Sequence, residues 1–312
     1  MKLSLSSDAT SKYSECGLSC FDSLKAIRDC GFSCTDLNIP AQYDLTDPLG
    51  EGERMRAMLD KIELLPTTSH ANPPNPLKHP KEAKEISEST LLFCQGASIP
   101  MTVVHPGAIR GNTREEFFER NVAFYRSLIP MAEQTGVTVL VENIGNYADP
   151  YFLRNGKELS EMLDRIDHPL FGACWDIGHA NHFYPKDGNQ YDSILALGKR
   201  LQAIHAHDNV GCLTDTYRHI RLDMHTFPAF SGAASVNWDA VMQGLKDVGY
   251  TGTFNFEVNA PSRSECEPFL HNGEVLRRLE LMPLHVWKAF NKALFEMGKA
   301  MLEAYDLCEN DT

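Results

Sequence analysis

Short apolar runs alternate along this chain with longer segments in which apolar residues return every three or four positions. Eight of the short runs read as strands: "LSLSS" (3–7), "CTDLNI" (34–39), "IELLPTTSH" (62–70), "MTVVHP" (101–106), "VTVLVEN" (137–143), "FGACWD" (171–176), "LQAIHAHD" (201–208) and "GTFNFEV" (252–258). Between them lie stripes of helical period. They comprise Phe21, Leu24 and Ile27; then Phe117, Phe118, Val122, Tyr125 and Leu128; then Leu159, Met162 and Leu163; then Val241, Leu245 and Val248. The segment from Leu284 to Leu307 predicts a long closing helix, with Val286, Trp287, Phe290, Leu294 and Met297 on its inner face. Strands that are apolar on both faces and separated by helices run parallel and are covered on both sides. Eight such units in 312 residues predict a single (β/α)8 TIM barrel rather than an open doubly wound sheet. No Pro/Gly/Ser-rich linker divides the chain, so residues 1–312 are expected to form one domain. The polar stretches 71–80, 180–191 and 209–237 then become βα loops at the C-terminal face, where such barrels carry their chemistry.

Composition narrows the function without naming it. Apolar residues make up 43% and charged residues 23%, the balance of an ordinary globular protein. No run approaches the ~20 apolar residues of a membrane span. The opening "MKLSLSSDAT" lacks the apolar centre of a secretory leader, so a cytoplasmic location is expected. The nine cysteines are odd in number and include no C-x-x-C pair; they read as reduced structural thiols, with a zinc knuckle as the weaker reading. A net charge of −13 opposes a nucleic-acid partner, because such partners are held chiefly by neutralised phosphates.

The strand ends carry the candidate chemistry. The fifth strand ends at Glu142–Asn143 and the sixth at Asp176, with His179 just beyond; the seventh carries His205, His207 and Asp208, and the eighth ends at Glu257. Taken singly, a carboxylate at a strand end is ordinarily a helix cap or an ion-pair partner. Here four consecutive strands, about 4.8 Å apart, each deliver a carboxylate or an imidazole to one rim. Three carboxylates converging in a poorly solvated pocket would repel one another strongly unless a cation sat among them. Two glutamates, an aspartate and a histidine form a hard, mostly oxygen donor set that suits one divalent ion: Mn²⁺ first, with Mg²⁺, Co²⁺ or Zn²⁺ as alternatives. Ligation by these four side chains would leave room for two substrate oxygens on an octahedral ion.

"VENIGN", "WDIGHA", "IHAHDN" and "FNFEV" resemble the successive strand ends of the xylose-isomerase-like TIM-barrel superfamily, as do "VVHPG" (103–107) and "DMHTFPAFSG" (223–232). That group contains sugar and sugar-phosphate isomerases and epimerases, inosose dehydratase and endonuclease IV-type AP endonucleases. The resemblance implies that Glu142, Asp176, His205 and Glu257 bind the metal and that Glu142 and Glu257 move the proton, one on each face of the substrate. His205 matches because it stands three before Asp208, as in the family's "HxxD", with His207 as the competing assignment. His179 matches a substrate-contacting histidine; His105, Asp223, His225 and His70 are further substrate or second-metal candidates.

The expected function is a metal-dependent sugar or sugar-phosphate isomerase or epimerase acting on a small carbohydrate. Arg110, Arg218 and Arg221 are the loop arginines available to a phosphate, which is thin support for one. A related dehydratase or C-glycoside-cleaving lyase would begin with the same proton abstraction. A trinuclear zinc AP endonuclease is a further alternative, because His70, His105, Glu142, Asp176, His179, His205, Asp223, His225 and Glu257 stand at comparable places. Acidic βα loops oppose it. A homo-oligomer, paired through the barrel rim or the closing helix, is compatible with the sequence but not indicated by it.

Overall fold

The computed structural model describes residues 1–39, 46–143, 152–183, 189–209, 211, 225–228, 236–258, 270–271, 274–275 and 282–308. Eight parallel strands close into one barrel in chain order: β1 (Leu3–Ser6), β2 (Cys34–Asn38), β3 (Leu65–His70), β4 (Met101–Val104), β5 (Thr138–Glu142), β6 (Phe171–Asp176), β7 (Leu201–Ala206) and β8 (Phe254–Phe256). β1 pairs with both β2 and β8, which shuts the cylinder. Helices α1 (Ser11–Glu15) and α2 (Cys20–Asp29) follow β1, α3 (Pro48–Lys61) follows β2, and α4 (Pro80–Ala97) follows β3. After β4 come α5 (Arg114–Ser127) and α6 (Ile129–Thr135); α7 (Gly156–Ile166) follows β5. After β6 come α8 (Ile177–Asn181) and α9 (Gln190–Leu197), while α10 (Trp238–Asp247) leads into β8 and α11 (Leu284–Ala304) closes the chain. A small antiparallel pair, Leu270–His271 with Glu274–Val275, lies outside the barrel sheet. No described helix is long and apolar enough to cross a membrane.

Side chains alternate across a strand, and this parity organises the molecule. Val139, Val141, Ala173, Trp175, Ile204 and Ala206 belong to the main core beneath the helices. Val103, Leu140, Cys174 and Ala203 form a separate apolar plug inside the barrel. Two residues farther along the same four strands stand His105, Glu142, Asp176 and His205. The alternation that fills the barrel floor therefore lifts these polar groups to its mouth.

Two extra residues adjust the register. β2 and β3 pair Thr35 with Pro66 but Asp36 with Thr68, so Thr67 is inserted on β3. β6 and β7 pair Ala173 with Leu201 but Cys174 with Ala203, so Gln202 is inserted on β7. Such bulges re-aim the side chains that follow. His70 and His205 each stand three residues beyond one.

The helical coat differs from the sequence expectation at two aromatics. The inner face of α11 is Trp287, Asn291, Leu294, Gly298, Met301 and Leu302. Phe290, expected inside, is 43% exposed and instead lies edge-on to Phe227. The 287/291/294/298 stripe puts position 290 on the flank, and Gly298 lets the helix settle onto Phe256 and Leu3, which a Cβ there would meet at 2.8 and 2.9 Å. Phe21, expected on the inner face of α2, is likewise exposed, because Ser23, Leu24, Ala26 and Ile27 form the buried face. Of the described cysteines, Cys16, Cys30, Cys94 and Cys174 are free thiols.

Candidate active site

The mouth of the barrel gathers Glu142, Asp176, His205 and Glu257 so closely that one donor atom from each lies within 4.8 Å of the others. His205 Nδ1 is 3.0 Å from Glu142 Oε1 and 3.2 Å from Glu257 Oε2. Asp176, beside His205 in the β6–β7 register, completes the set. Glu142, Asp176 and His205 are fully buried, whereas the Glu257 side chain keeps 14% of its surface open.

The backbone around these residues is fixed by side-chain clamps. Asn143 donates through Nδ2 to the Asp176 carbonyl at 2.8 Å and accepts at Oδ1 from the Asp176 N–H at 2.7 Å, locking the ends of β5 and β6 together. Asp176 also caps α8, its Oδ1 accepting from the His179 N–H at 2.6 Å. The bland reading of a strand-end aspartate is thus true here as well, and the cap aims the carboxylate rather than consuming it. The Glu257 N–H donates to the Ala206 carbonyl at 3.1 Å, extending the β7–β8 ladder to the last member of the set. At the mouth of β4, Asn121 on α5 accepts from the Gly107 N–H at 2.7 Å and donates to its carbonyl at 3.0 Å, holding the loop that carries His105.

Electrostatics follow from this crowding. Burial opposes ionisation of Glu142, but His205 and His105 outweigh it and hold the carboxyl well below the usual range. Glu257 is held low in the same way, burial being outweighed by His205, His225 and His70. Burial also works against a charged His205, yet the Cys174 sulfur and the Glu257 and Glu142 carboxylates keep its pKa well above that of an ordinary histidine. Burial pushes the Cys174 thiol itself up to about 12, so near neutral pH the carboxylates supply the negative charge. A proton on His205 therefore sits where a divalent cation would satisfy the same donors, and the residues fit such an ion.

Two further histidine groups adjoin this centre. His70 and His105 meet through their Nε2 atoms at 2.6 Å, and His105 Nε2 lies 2.7 Å from Glu142 Oε2, so Glu142 joins this group to the first. Burial and the neighbouring His105 push the His70 pKa down to about 4, which leaves it neutral and able to donate a lone pair. On the other flank, His179, His207 and His225 bring donor atoms within 4.8 Å of one another. His179 Nδ1 is 3.1 Å from the Asn143 carbonyl and 3.6 Å from Asp176 Oδ2. His225, at φ 42°, directs Nδ1 to the Glu257 carbonyl at 2.9 Å and stacks on His207 with ring centroids 3.8 Å apart.

A model of the xylose isomerase-like TIM barrel matches residues 24–279. The chain belongs to this family. Over 163 residues it is 28% identical to the uncharacterized protein MJ1311 of Methanocaldococcus jannaschii, a match that spans half of each chain, so the chain covers only about half the length of that curated relative. Among solved structures, a D-tagatose 3-epimerase-like protein superposes with a TM-score of 0.70 at 21% identity, covering 98% of both chains. D-psicose 3-epimerase from Clostridium cellulolyticum H10, solved with D-tagatose, gives a TM-score of 0.70 at 15% identity, covering 97% of this chain and 99% of that one. At such identities the likeness establishes the family's fold.

Not every residue at the mouth was expected there. His207, the competing assignment for the ligand histidine, and His182 are both buried. His207 Nε2 lies 3.1 and 3.2 Å from the two Asp176 oxygens, and Gly178 makes room for it, since a Cβ at 178 would fall 2.0 Å from the ring. Trp238 is buried in the main core and donates its indole N–H to Asp208 Oδ2 at 3.0 Å. Asp36, which stands inside a strand rather than at its end, was not among the sequence candidates; it is fully buried and forms a group with His70 and His205. Burial raises its pKa to about 6 against the pull of His205. Asp223, Arg218 and Arg221 lie outside the described residues.

Proposed function

We propose that this protein is a divalent-metal-dependent sugar isomerase or epimerase. Glu142, Asp176, His205 and Glu257 hold one ion, Mn²⁺ by preference, and Glu142 and Glu257 serve as the acid/base pair. The observation that carries this reading is the flanking of His205 Nδ1 by Glu142 and Glu257 at 3.0 and 3.2 Å, with Asp176 in the same cluster. A carbohydrate substrate is supported by the family and by relatives whose names are those of ketose 3-epimerases.

When bound, the ion would polarise a carbonyl and offset the negative charge that grows on its oxygen. The side chains do the rest. Glu257, partly open to the mouth, reaches the hydrogen on the carbon next to the carbonyl and removes it. Glu142, gripped by His105 and His205, is the less mobile partner; once it has taken up a proton from solvent it delivers that proton from the other side, while Glu257 keeps the one it removed and releases it to solvent afterwards. Return to the neighbouring carbon isomerises the sugar; return to the opposite face epimerises it. His179, His105, His70 and His225 line the approach and offer hydrogen bonds to hydroxyls.

A second reading has one observation in its favour. The flanking histidine groups could hold two more ions, as a trinuclear zinc hydrolase of the endonuclease IV type requires. Metal counting and isotope exchange decide between the two. Elemental analysis is expected to find about one Mn-like ion per chain, and D₂O is expected to wash deuterium into one or more of a panel of ketoses. Three zinc ions per chain with no exchange in any ketose would end the isomerase reading.

A further inference from the structure

We propose that Asp36 is a positioning residue: it accepts the Nε2 proton of His205 and thereby presents Nδ1, unprotonated, to the divalent ion. This rests on the metal-binding role of His205 proposed above. The argument starts from the two nitrogens of one ring. Nδ1 faces Glu142 and Glu257 at 3.0 and 3.2 Å, so it is the nitrogen turned toward the ion's donor set. An imidazole that binds a metal through one nitrogen carries its proton on the other. That other nitrogen, Nε2, is buried and makes no hydrogen bond among the described residues. Asp36 Oδ2 lies 3.9 Å from it. This is about 1 Å longer than an N–H···O hydrogen bond, a gap that a small tilt of the ring closes.

Asp36 has no other evident purpose. It is fully buried, and among the described residues it pairs with no lysine or arginine and, apart from an approach of the Thr68 hydroxyl, neither oxygen finds a hydrogen-bond partner. A carboxylate so placed is costly to a fold that needs only to pack. It also lies 3.9 Å from His70 Nδ1, so two imidazoles from two bulged strands, their centroids 5.3 Å apart, converge on the same oxygen. Carboxylates behind ligating histidines fix the tautomer and the ring angle, and their loss typically weakens metal binding by 10- to 100-fold.

The test is a Mn²⁺ titration, free ion read by electron paramagnetic resonance, on wild type, Asp36→Asn, Asp36→Ala, Glu142→Gln and His205→Gln. Both Asp36 variants are expected to bind Mn²⁺ about 10- to 100-fold more weakly, while the thermal midpoint without metal stays level or rises because a buried charge has gone. Wild-type affinity in both Asp36 variants, alongside loss in Glu142→Gln and His205→Gln, overturns the proposal alone. Unchanged binding in all four, or none in wild type, overturns the metal reading and this inference with it. A measurement on wild type needs no variant to fold: with Zn²⁺ bound, long-range ¹H–¹⁵N correlation should show His205 protonated at Nε2 and exchange-protected. A proton on Nδ1 instead would refute it.

Discussion

Glu142 and Glu257 look interchangeable in the sequence, and at the level of single side chains they are not. Glu142 is fully buried and held by His105 Nε2 at 2.7 Å and His205 Nδ1 at 3.0 Å; Glu257 has fewer such contacts and is partly open. Replacing Glu142 by Gln leaves the buried His205 and the half-buried His105 facing a neutral amide, which would disturb both the proposed metal site and the resting structure. Replacing Glu257 by Gln removes the proposed base while keeping its shape and its backbone bond to Ala206. Glu257→Gln is therefore expected to lower deuterium exchange by roughly 10²–10⁴-fold with a thermal midpoint close to wild type. Glu142→Gln should lose Mn²⁺ affinity and thermal stability together. Kinetics and calorimetry on the purified pair check this, and a fully active Glu257→Gln enzyme would remove that residue from the mechanism.

Between elements, the decisive residue is one to which the sequence reading gave only a marker's role. Asp208 follows β7 and ties the chain beyond it back to the barrel. Its Oδ1 accepts from the Asn209 N–H at 2.8 Å and the Val236 N–H at 3.0 Å, and its Oδ2 accepts from the Trp238 indole at 3.0 Å. Its backbone pairs with Thr226 in both directions at 2.9 Å. One side chain thus anchors both the strand that carries His205 and the entry to α10. Asp208→Ala would strand buried donors of Val236 and Trp238, at a cost of about 2–4 kcal/mol. Denaturant unfolding should register that loss even though Asp208 is outside the proposed metal set; a change below about 0.5 kcal/mol would show that water replaces it. This contrast also explains what was legible. The eight strands and the rim residues Glu142, Asp176, His205 and Glu257 could be read because each is polar chemistry at the end of an apolar run. The contacts made by Asp36, His207 and Asn143 could not, since they depend on bulges, a glycine gap and a clamp between neighbouring strands. "CTDLNI" did carry one clue: a charge inside a barrel strand is rarely idle.

For the whole molecule, the question is how a fold tolerates so much charge at its mouth, and proton linkage supplies the answer. Three carboxylates are buried or nearly so around His205, in a chain of net charge −13. Without an ion, a proton on His205 is the compensating charge, as its raised pKa requires. A histidine whose folded pKa lies above its unfolded value of about 6.5 stabilises the protein fully below that pH and ceases to do so as pH rises through the folded pKa. Glu142 and Glu257, held low, act in the opposite sense: their contribution is present above the unfolded value of about 4.5 and is lost as pH falls. Protein stripped of metal should accordingly be most stable between about pH 4.5 and about pH 6.5 and weaken progressively as pH rises above that window. An ion at the four donors takes over the proton's place, so protein loaded with Mn²⁺ should hold its thermal midpoint over the same range. The affinity for Mn²⁺ should rise with pH, by up to about tenfold per unit, until His205 would have lost its proton unaided. Thermal midpoints recorded with chelator and with Mn²⁺ from about pH 6 to about pH 9 test this linkage. Two curves that stay parallel across that range would mean that metal and proton do not compete for His205.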